Sequence, residues 1–197
     1  MSALISDIAS LAAQWVVEEG LDYRAAKQRA VKALGLPNRT ALPDNEALES
    51  AVIDHIAVFC ADSQPGELRA LRGLALTWME RMAGFRPYIA GAVWRGTATR
   101  LSDIYIQLFC DDSKSAEIFL IDQRVRYLPR RVTGFHGETV DALSVHALCP
   151  GLNEEVGVHL MVYDHDDVRG ALKPDARGRA PRGDLAALRA LVHDGKP

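Results

Sequence analysis

The stretch GAVWRGTATRLSDIYIQLF, residues 91–109, holds the chain's least ordinary grouping of chemical side chains. Gly91 and Gly96 bracket Arg95, and Ser102-Asp103 stands directly before a run that alternates in and out. Two readings fit these residues. One is a site for a metal and a nucleotide phosphate; the other is a turn entering a sheet, with Asp103 as a cap or ion-pair partner and Tyr105 packed on the strand. A second grouping is basic: Arg169, Lys173, Arg177, Arg179 and Arg182, in and beside the segment KPDARGRAPRGD (173–184). Guanidinium forks match phosphate oxygens, and such a loop folded over the strand ends would bring arginines toward Gly91 and Asp103. Asp167, Asp175 and Asp184 lie among them, which equally suits a solvated loop of mixed charge.

Other chemistries find less support. The six histidines show no HExxH or other ligand spacing; His146 and His159 fall in adjacent expected strands, where a hydrogen-bonded sheet histidine is the plain expectation. Cys60, Cys110 and Cys149 are far apart and form no CxxC pair, so the expectation is buried reduced thiols rather than zinc. The acidic run Tyr163-Asp164-His165-Asp166-Asp167 reads as a strand end with Asp166 capping a helix. No GxSxG elbow is present. A UDP-N-acetylmuramate–alanine ligase would need a GxxxxGK[ST] loop to cradle phosphate; Lys114-Ser115 has no such glycine loop before it.

The elements that would position these residues follow from periodicity. Ile5, Ile8, Leu11, Ala12, Trp15 and Val16 share one helical face. Asp22 is placed to cap a helix over 23–34, which Gly35 and Pro37 end; its polar side is basic (Arg24, Lys27, Arg29, Lys32). Leu48, Val52, Ile56 and Phe59 mark a third helix after Pro43-Asp44, and Leu68, Leu71, Leu74, Trp78 and Met82 a fourth, stopping at Gly84. From Phe85 the texture changes. A short apolar run covers 88–92, and Ile104, Ile106 and Leu108 alternate as a strand. Asp111-Asp112-Ser113 is placed to cap a helix over 114–122. Further strands are expected over 125–132 (at an edge or a bulge, because of Pro129), 140–148 and 156–163, the last two joined by a turn at 150–153. Short helices are expected over 166–172 and 184–192, with 173–184 a loop.

Composition places the chain among soluble globular proteins, with 48% hydrophobic and 25% charged residues. A formal net charge of −3 gives no strong nucleic-acid signal. No apolar run approaches the roughly 20 residues of a membrane span, and the start of the chain lacks a basic, signal-like pattern, so a cytoplasmic location is expected.

Gly91-Ala92, the later Gly96, and Asp103-Ile104-Tyr105 at the head of a strand are similar to the signature of the nucleotidyltransferase superfamily that includes DNA polymerase β. That signature is Gly-Ser, a further glycine, and Asp-x-Asp on the second strand; RGTATRLSDI, residues 95–104, looks very like the linker of bacterial members. The resemblance spans about 85–163 and is specific at motif level only over 91–106. It implies a phosphate-binding turn at Gly91, Ala92, Arg95, Gly96 and Ser102, and a magnesium site built from Asp103 and a third carboxylate on a later strand. Asp141 is the best match for that carboxylate and Glu117 a weaker one. In such a site hard oxygen ligands hold magnesium, which bridges phosphates as a nucleotidyl group moves. The chain departs from the signature twice: Tyr105 replaces the second aspartate and Ala92 the serine. A phenol is no anionic ligand near neutral pH, so the metal site is degenerate.

The expectation is therefore an α+β protein: a helical segment, 1–84, packed on a nucleotidyltransferase-like domain, 85–197, with a mixed, largely antiparallel sheet and flanking helices. The expected function is binding of a nucleotide or phosphate-bearing small molecule, with magnesium. The alternatives are an active magnesium-dependent nucleotidyltransferase with non-standard ligands and a non-catalytic module whose helical segment binds a protein partner.

Overall fold

The computed structural model describes residues 3–175 and 178–194. The chain divides into two compact units, one of residues 1–66 with 97–101, the other of 67–96 with 102–197. The sequence reading had set its boundary at Gly84.

The first unit is helical. Helices α1 (Ala3–Glu19), α2 (Tyr23–Ala33) and α3 (Asn45–Phe59) bury Ile8, Ala12, Ala13, Val17, Ala26, Ala30, Leu48, Val52 and Ile56 together. Each fully buried Leu, Ile or Val contributes on the order of 1.5–3 kcal/mol. Small residues dominate the α1 and α2 faces, so the buried stripe of α1 runs through Ala9, Ala12, Ala13 and Val17; Leu11, Trp15 and Val16, expected on it, are only partly buried beside it. Both later helices begin as their sequences require. The Asp22 carboxylate accepts from the Ala25 N–H at 2.9 Å, and Asp44 from the Ala47 N–H at 2.7 Å. Phe59, at the helical spacing of a core residue, is 70% exposed, because it is the last residue of α3. Lys27 on α2 is buried and donates to Asn45 Oδ1 at 2.7 Å; burial lowers its pKa.

Helix α4 (Gln64–Arg81) starts in the first unit and continues in the second, where Leu68, Leu71, Ala75, Met79 and Met82 are buried. A short 3-10 turn, Ala83–Phe85, leads to β1 (Tyr88–Ala90), α5 (Gly91–Arg95), β2 (Ile104–Cys110) and α6 (Ser115–Asp122). Then come β3 (Leu128–Thr133), β4 (Thr139–Cys149), β5 (Glu154–Asp164), a 3-10 turn at His165–Asp167, α7 (Val168–Ala171), β6 (Arg182–Gly183) and α8 (Leu185–Asp194). The strands form one sheet in the order β3-β4-β5-β2-β1-β6, antiparallel except for the β2–β5 pair. The class is α+β, and of the edge or bulge that Pro129 allowed, β3 takes the edge.

Three local expectations are corrected. The segment 173–184 is not all loop: Gly183 and Arg182 pair with Ile89 and Ala90 as β6. Trp94 explains why glycine stands there. Its ring packs onto Gly183 so closely that a Cβ would collide with it, and its indole N–H donates to the Ala180 carbonyl at 2.9 Å. The 3-10 turn at 165–167 is capped by Asp164, whose carboxylate accepts from the Asp166 N–H, rather than by Asp166 itself. The third is at α6, which starts at Ser115 after an Asp112 turn rather than at Lys114.

One face of the sheet is fully buried through Ile104, Ile106, Leu108, Val158 and Leu160. The opposite face is closed over only part of its length. Phe109, Tyr163 and Val140 pack there with Ala171 and Val168 of α7 and with Phe135, while Asp103, Tyr105 and His146 beyond them stay exposed. No helix among the described residues is long and apolar enough to cross a membrane.

Candidate functional site

The open part of that face is built by strand register. Tyr105 of β2 pairs with His159 of β5, and His159 with Ser144 of β4, so their side chains stand in one row. The next row toward the start of β2 holds Asp103, Gly157 and His146, since Ile104 pairs with Val158 and Gly157 with His146. Asp103 reaches across to its neighbour: His159 Nε2 lies 3.1 Å from Asp103 Oδ2. On the other side of the ring, His159 Nδ1 lies 2.9 Å from the Ser144 hydroxyl. The consistent arrangement has Nε2–H donating to the carboxylate and the buried Ser144 hydroxyl donating to Nδ1. The Tyr105 ring leans on the imidazole at 4.9 Å.

Gly157 is the reason the carboxylate sits so low on the sheet. A Cβ there would come within 2.6 Å of Asp103 Oδ1. The hydrogen bond from His159 is the main force holding the Asp103 carboxyl below its ordinary pKa; partial burial opposes it, and the Gly157 N–H reinforces it. The group is therefore an anion at neutral pH, oriented by two neighbours, with its side chain 48% exposed.

Gly91 lies beside this row. Its φ is +71°, a conformation that glycine adopts without strain, and its missing Cβ would stand 3.7 Å from the Tyr105 ring. Gly96 ends the five-residue α5 at φ +83°. Both glycines are thus conformational requirements, and Gly91 lies against the Tyr105 ring.

The remaining residues expected at the site are elsewhere. Asp103 and Asp141 are not brought together. Asp141 pairs with Val162, five residues along β5 from the Asp103 level, which is about 16 Å at roughly 3.3 Å per residue. Asp141 is also an odd number of residues from Ser144, so it projects from the opposite face; its neighbour is Arg131, at 3.7 Å. Glu117 lies on α6 and binds Lys114 at 3.0 Å and the Tyr127 hydroxyl at 2.9 Å. Arg95 pairs with Asp175 at 2.9 Å, and Arg179 binds the same carboxylate at 3.0 Å. Arg182 lies beside Ala90 in register, yet its guanidinium covers the Phe135 ring at 4.5 Å and donates to the Ala171 carbonyl. Arg177 lies outside the described residues. Ser102 is partly buried just ahead of Asp103.

These placements test a resident magnesium pair on the chain's own ligands, and the residues do not fit one. Asp103 is the single carboxylate of its row, Tyr105 is neutral, and the neighbouring-strand position is His159 rather than an acid. Among the described residues, no group of three or more His, Cys, Asp or Glu side chains is placed to hold a metal ion. His159 is the hydrogen-bonded sheet histidine that the sequence led one to expect, but its partners Asp103 and Ser144 were not legible there. A signal existed in the alternation of β5, which puts a polar His159 amid Val158 and Leu160, but its partner Asp103 is 56 residues away. Comparison with known proteins finds no matching family model, no matching curated protein and no matching solved structure.

Proposed function

We propose that the protein binds a nucleotide or a related phosphate ester at the Asp103 end of the sheet, as its magnesium complex, and that the site binds rather than transfers. One observation carries this reading: an oriented, half-exposed carboxylate stands alone on an open sheet face, beside a glycine turn whose backbone a ligand can approach. Magnesium keeps several waters and is commonly held by one or two carboxylates plus the ligand's phosphates. A single aspartate suits a metal that arrives on the nucleotide, whereas a resident two-metal centre needs more. The Gly91-Ala92…Gly96…Asp103-Ile104-Tyr105 resemblance points the same way. His159 and Ser144 would act through Asp103 by fixing its orientation, and the exposed face of Tyr105 offers an apolar surface to a base or sugar.

Titration calorimetry with ATP and GTP, with and without magnesium, tests the reading. Binding should require magnesium, and Asp103→Asn should weaken it roughly tenfold, which is about 1.4 kcal/mol. Affinity untouched by either change, or no binding at millimolar nucleotide, would end the proposal. Incubation with a radiolabelled nucleoside triphosphate separates the alternative: covalent transfer of label to any acceptor would mean an active transferase. A second reading, an interaction module, rests on Val58 and Phe59 at the end of α3, which are 71% and 70% exposed.

A further inference from the structure

The edge of the sheet at β3 is a second place where the fold turns bonding groups outward. β3 ends the strand order, and residues 128–131 and 133 are exposed. Its pairing with β4 fixes which backbone groups face away. The Gly134 N–H donates to the Glu138 carbonyl at 2.7 Å, one step beyond the Thr133–Thr139 pair, which makes that pair the non-hydrogen-bonded kind. Alternation then sets Val132, Arg130 and Leu128 in hydrogen-bonded pairs with β4. It turns the N–H and C=O of Thr133 and Arg131, and the C=O of Pro129, away from the sheet. Pro129 therefore costs the ladder no bond, while Arg131 and Thr133 offer outward donors and acceptors at the spacing of a further strand.

Charge decides what can pair there. Arg124 and Arg126 lead into this edge, and Arg130 and Arg131 lie on it, all four exposed. Among the described residues, the guanidinium groups of Arg124, Arg126 and Arg130 make no ion pair or hydrogen bond. Arg131 has only a loose contact with Asp141 at 3.7 Å, and its side chain is 81% exposed, a weak and screened pairing. Arg130 projects on the face of Leu128 and Arg131 on the other, so a guanidinium flanks the edge on each side. Proline and charge on an edge strand bar a second copy of the same edge, because arginine would meet arginine. The same charges favour a strand that carries carboxylates. Its backbone pairs with Arg131 and Thr133, and its successive side chains, alternating between faces, reach one arginine each. We infer that the β3 edge takes up an extended, acidic peptide segment of a partner protein as an added strand. Leu128, 54% exposed, supplies an apolar contact beside Arg130. A nucleic acid strand would meet the guanidinium groups but has no alternating N–H and C=O to pair with the edge. The inference uses none of the residues of the Asp103 site.

The probe is a fluorescein-labelled peptide of about six residues, a typical strand length, mostly threonine with glutamate at adjacent central positions. Anisotropy follows its titration with the full chain at low and at near-physiological salt. Saturable binding in the sub-millimolar range is expected, weaker at the higher salt. Two controls separate edge pairing from charge alone. The same peptide N-methylated at alternate residues, in either register, keeps its charge and loses its donors; a peptide with lysine for glutamate keeps its backbone. Each should bind about tenfold more weakly or worse. Arg130→Glu should weaken binding about tenfold. Thr133→Pro removes an outward N–H but no bond to β4, so it should weaken binding several-fold with an unchanged circular dichroism spectrum. Asp103→Asn should leave peptide affinity unchanged, which separates failure here from failure of the nucleotide reading. No binding at millimolar peptide, equal affinity for the N-methylated peptides, unchanged affinity in Arg130→Glu, or tighter binding of a single-stranded oligonucleotide overturns the inference. So does self-association of the chain that Arg130→Glu abolishes, since the occupant would then be a second copy. Should Thr133→Pro fail to fold, Arg130→Glu, at an exposed side chain, and the N-methylated peptides decide.

Discussion

Gly157→Ala offers a sign test of the geometry around Asp103. Replacing a strand glycine with alanine ordinarily raises stability by about 0.4–1 kcal/mol, because the unfolded chain loses freedom. At this position the three nearest atoms to the new Cβ all belong to Asp103: Oδ1 at 2.6 Å, Cγ at 2.8 Å and Oδ2 at 3.2 Å. The methyl group must push the carboxylate off His159. Hydrogen bonds to a charged group contribute roughly 1.5–3 kcal/mol when buried, and about half of that survives for a side chain as exposed as Asp103. Taken at the middle of these ranges, the loss outweighs the alanine gain and leaves a net destabilisation of about 0.4 kcal/mol, or roughly 1–2 °C in Tm for a chain of this size. Thermal and urea unfolding followed by circular dichroism measure it. In an Asp103→Ala background the collision is gone, so Gly157→Ala should there be stabilising. A Gly157→Ala protein at least as stable as wild type, with the same change in the Asp103→Ala background, would refute the placement of Asp103 against His159.

Three further outcomes follow from named contacts. Asp103 has a folded pKa below its unfolded value of about 3.9, so its stabilising effect is present above that value and is lost as pH falls through the folded pKa; the Tm gap between wild type and Asp103→Asn should shrink below about pH 4. Tyr163 runs the other way in charge: its phenol is held protonated to about 12, so unfolding releases its proton first above pH 10 and stability should fall between about 10 and 12, with wild type and Tyr163→Phe diverging there in alkaline melts. Gly183→Ala drives a methyl group into the Trp94 ring, and overpacking of this kind costs about 1–3 kcal/mol, so lower denaturation midpoints and altered tryptophan emission are expected.

What the residues alone determined is local. The caps at Asp22 and Asp44 set where α2 and α3 begin, because a carboxylate three residues ahead of a free N–H needs nothing from the rest of the fold. Alternation marked β2, and Pro129 restricted β3 to an edge or a bulge, since a missing donor is a property of one residue; the sheet order decided for the edge. Glycines 91 and 96 were legible as turn residues for the same reason, and both prove to need positive φ. The tertiary structure alone decided which side chains meet. Asp103 and Asp141 are both acids at strand positions, and nothing in either neighbourhood reveals that β4 registers Asp141 on Val162 and turns it to the other face. A shift of one residue in that pairing would have reversed the face. The same register, parallel between β2 and β5 and antiparallel between β5 and β4, sets His159 between Asp103 and Ser144. Pairing with β1 likewise makes a strand of Arg182-Gly183, too short for any pattern to announce, because Ile89 and Ala90 supply what two residues cannot encode. Strand pairing joins residues far apart in the chain, and its energy resides in contacts that exist only once both partners are in place.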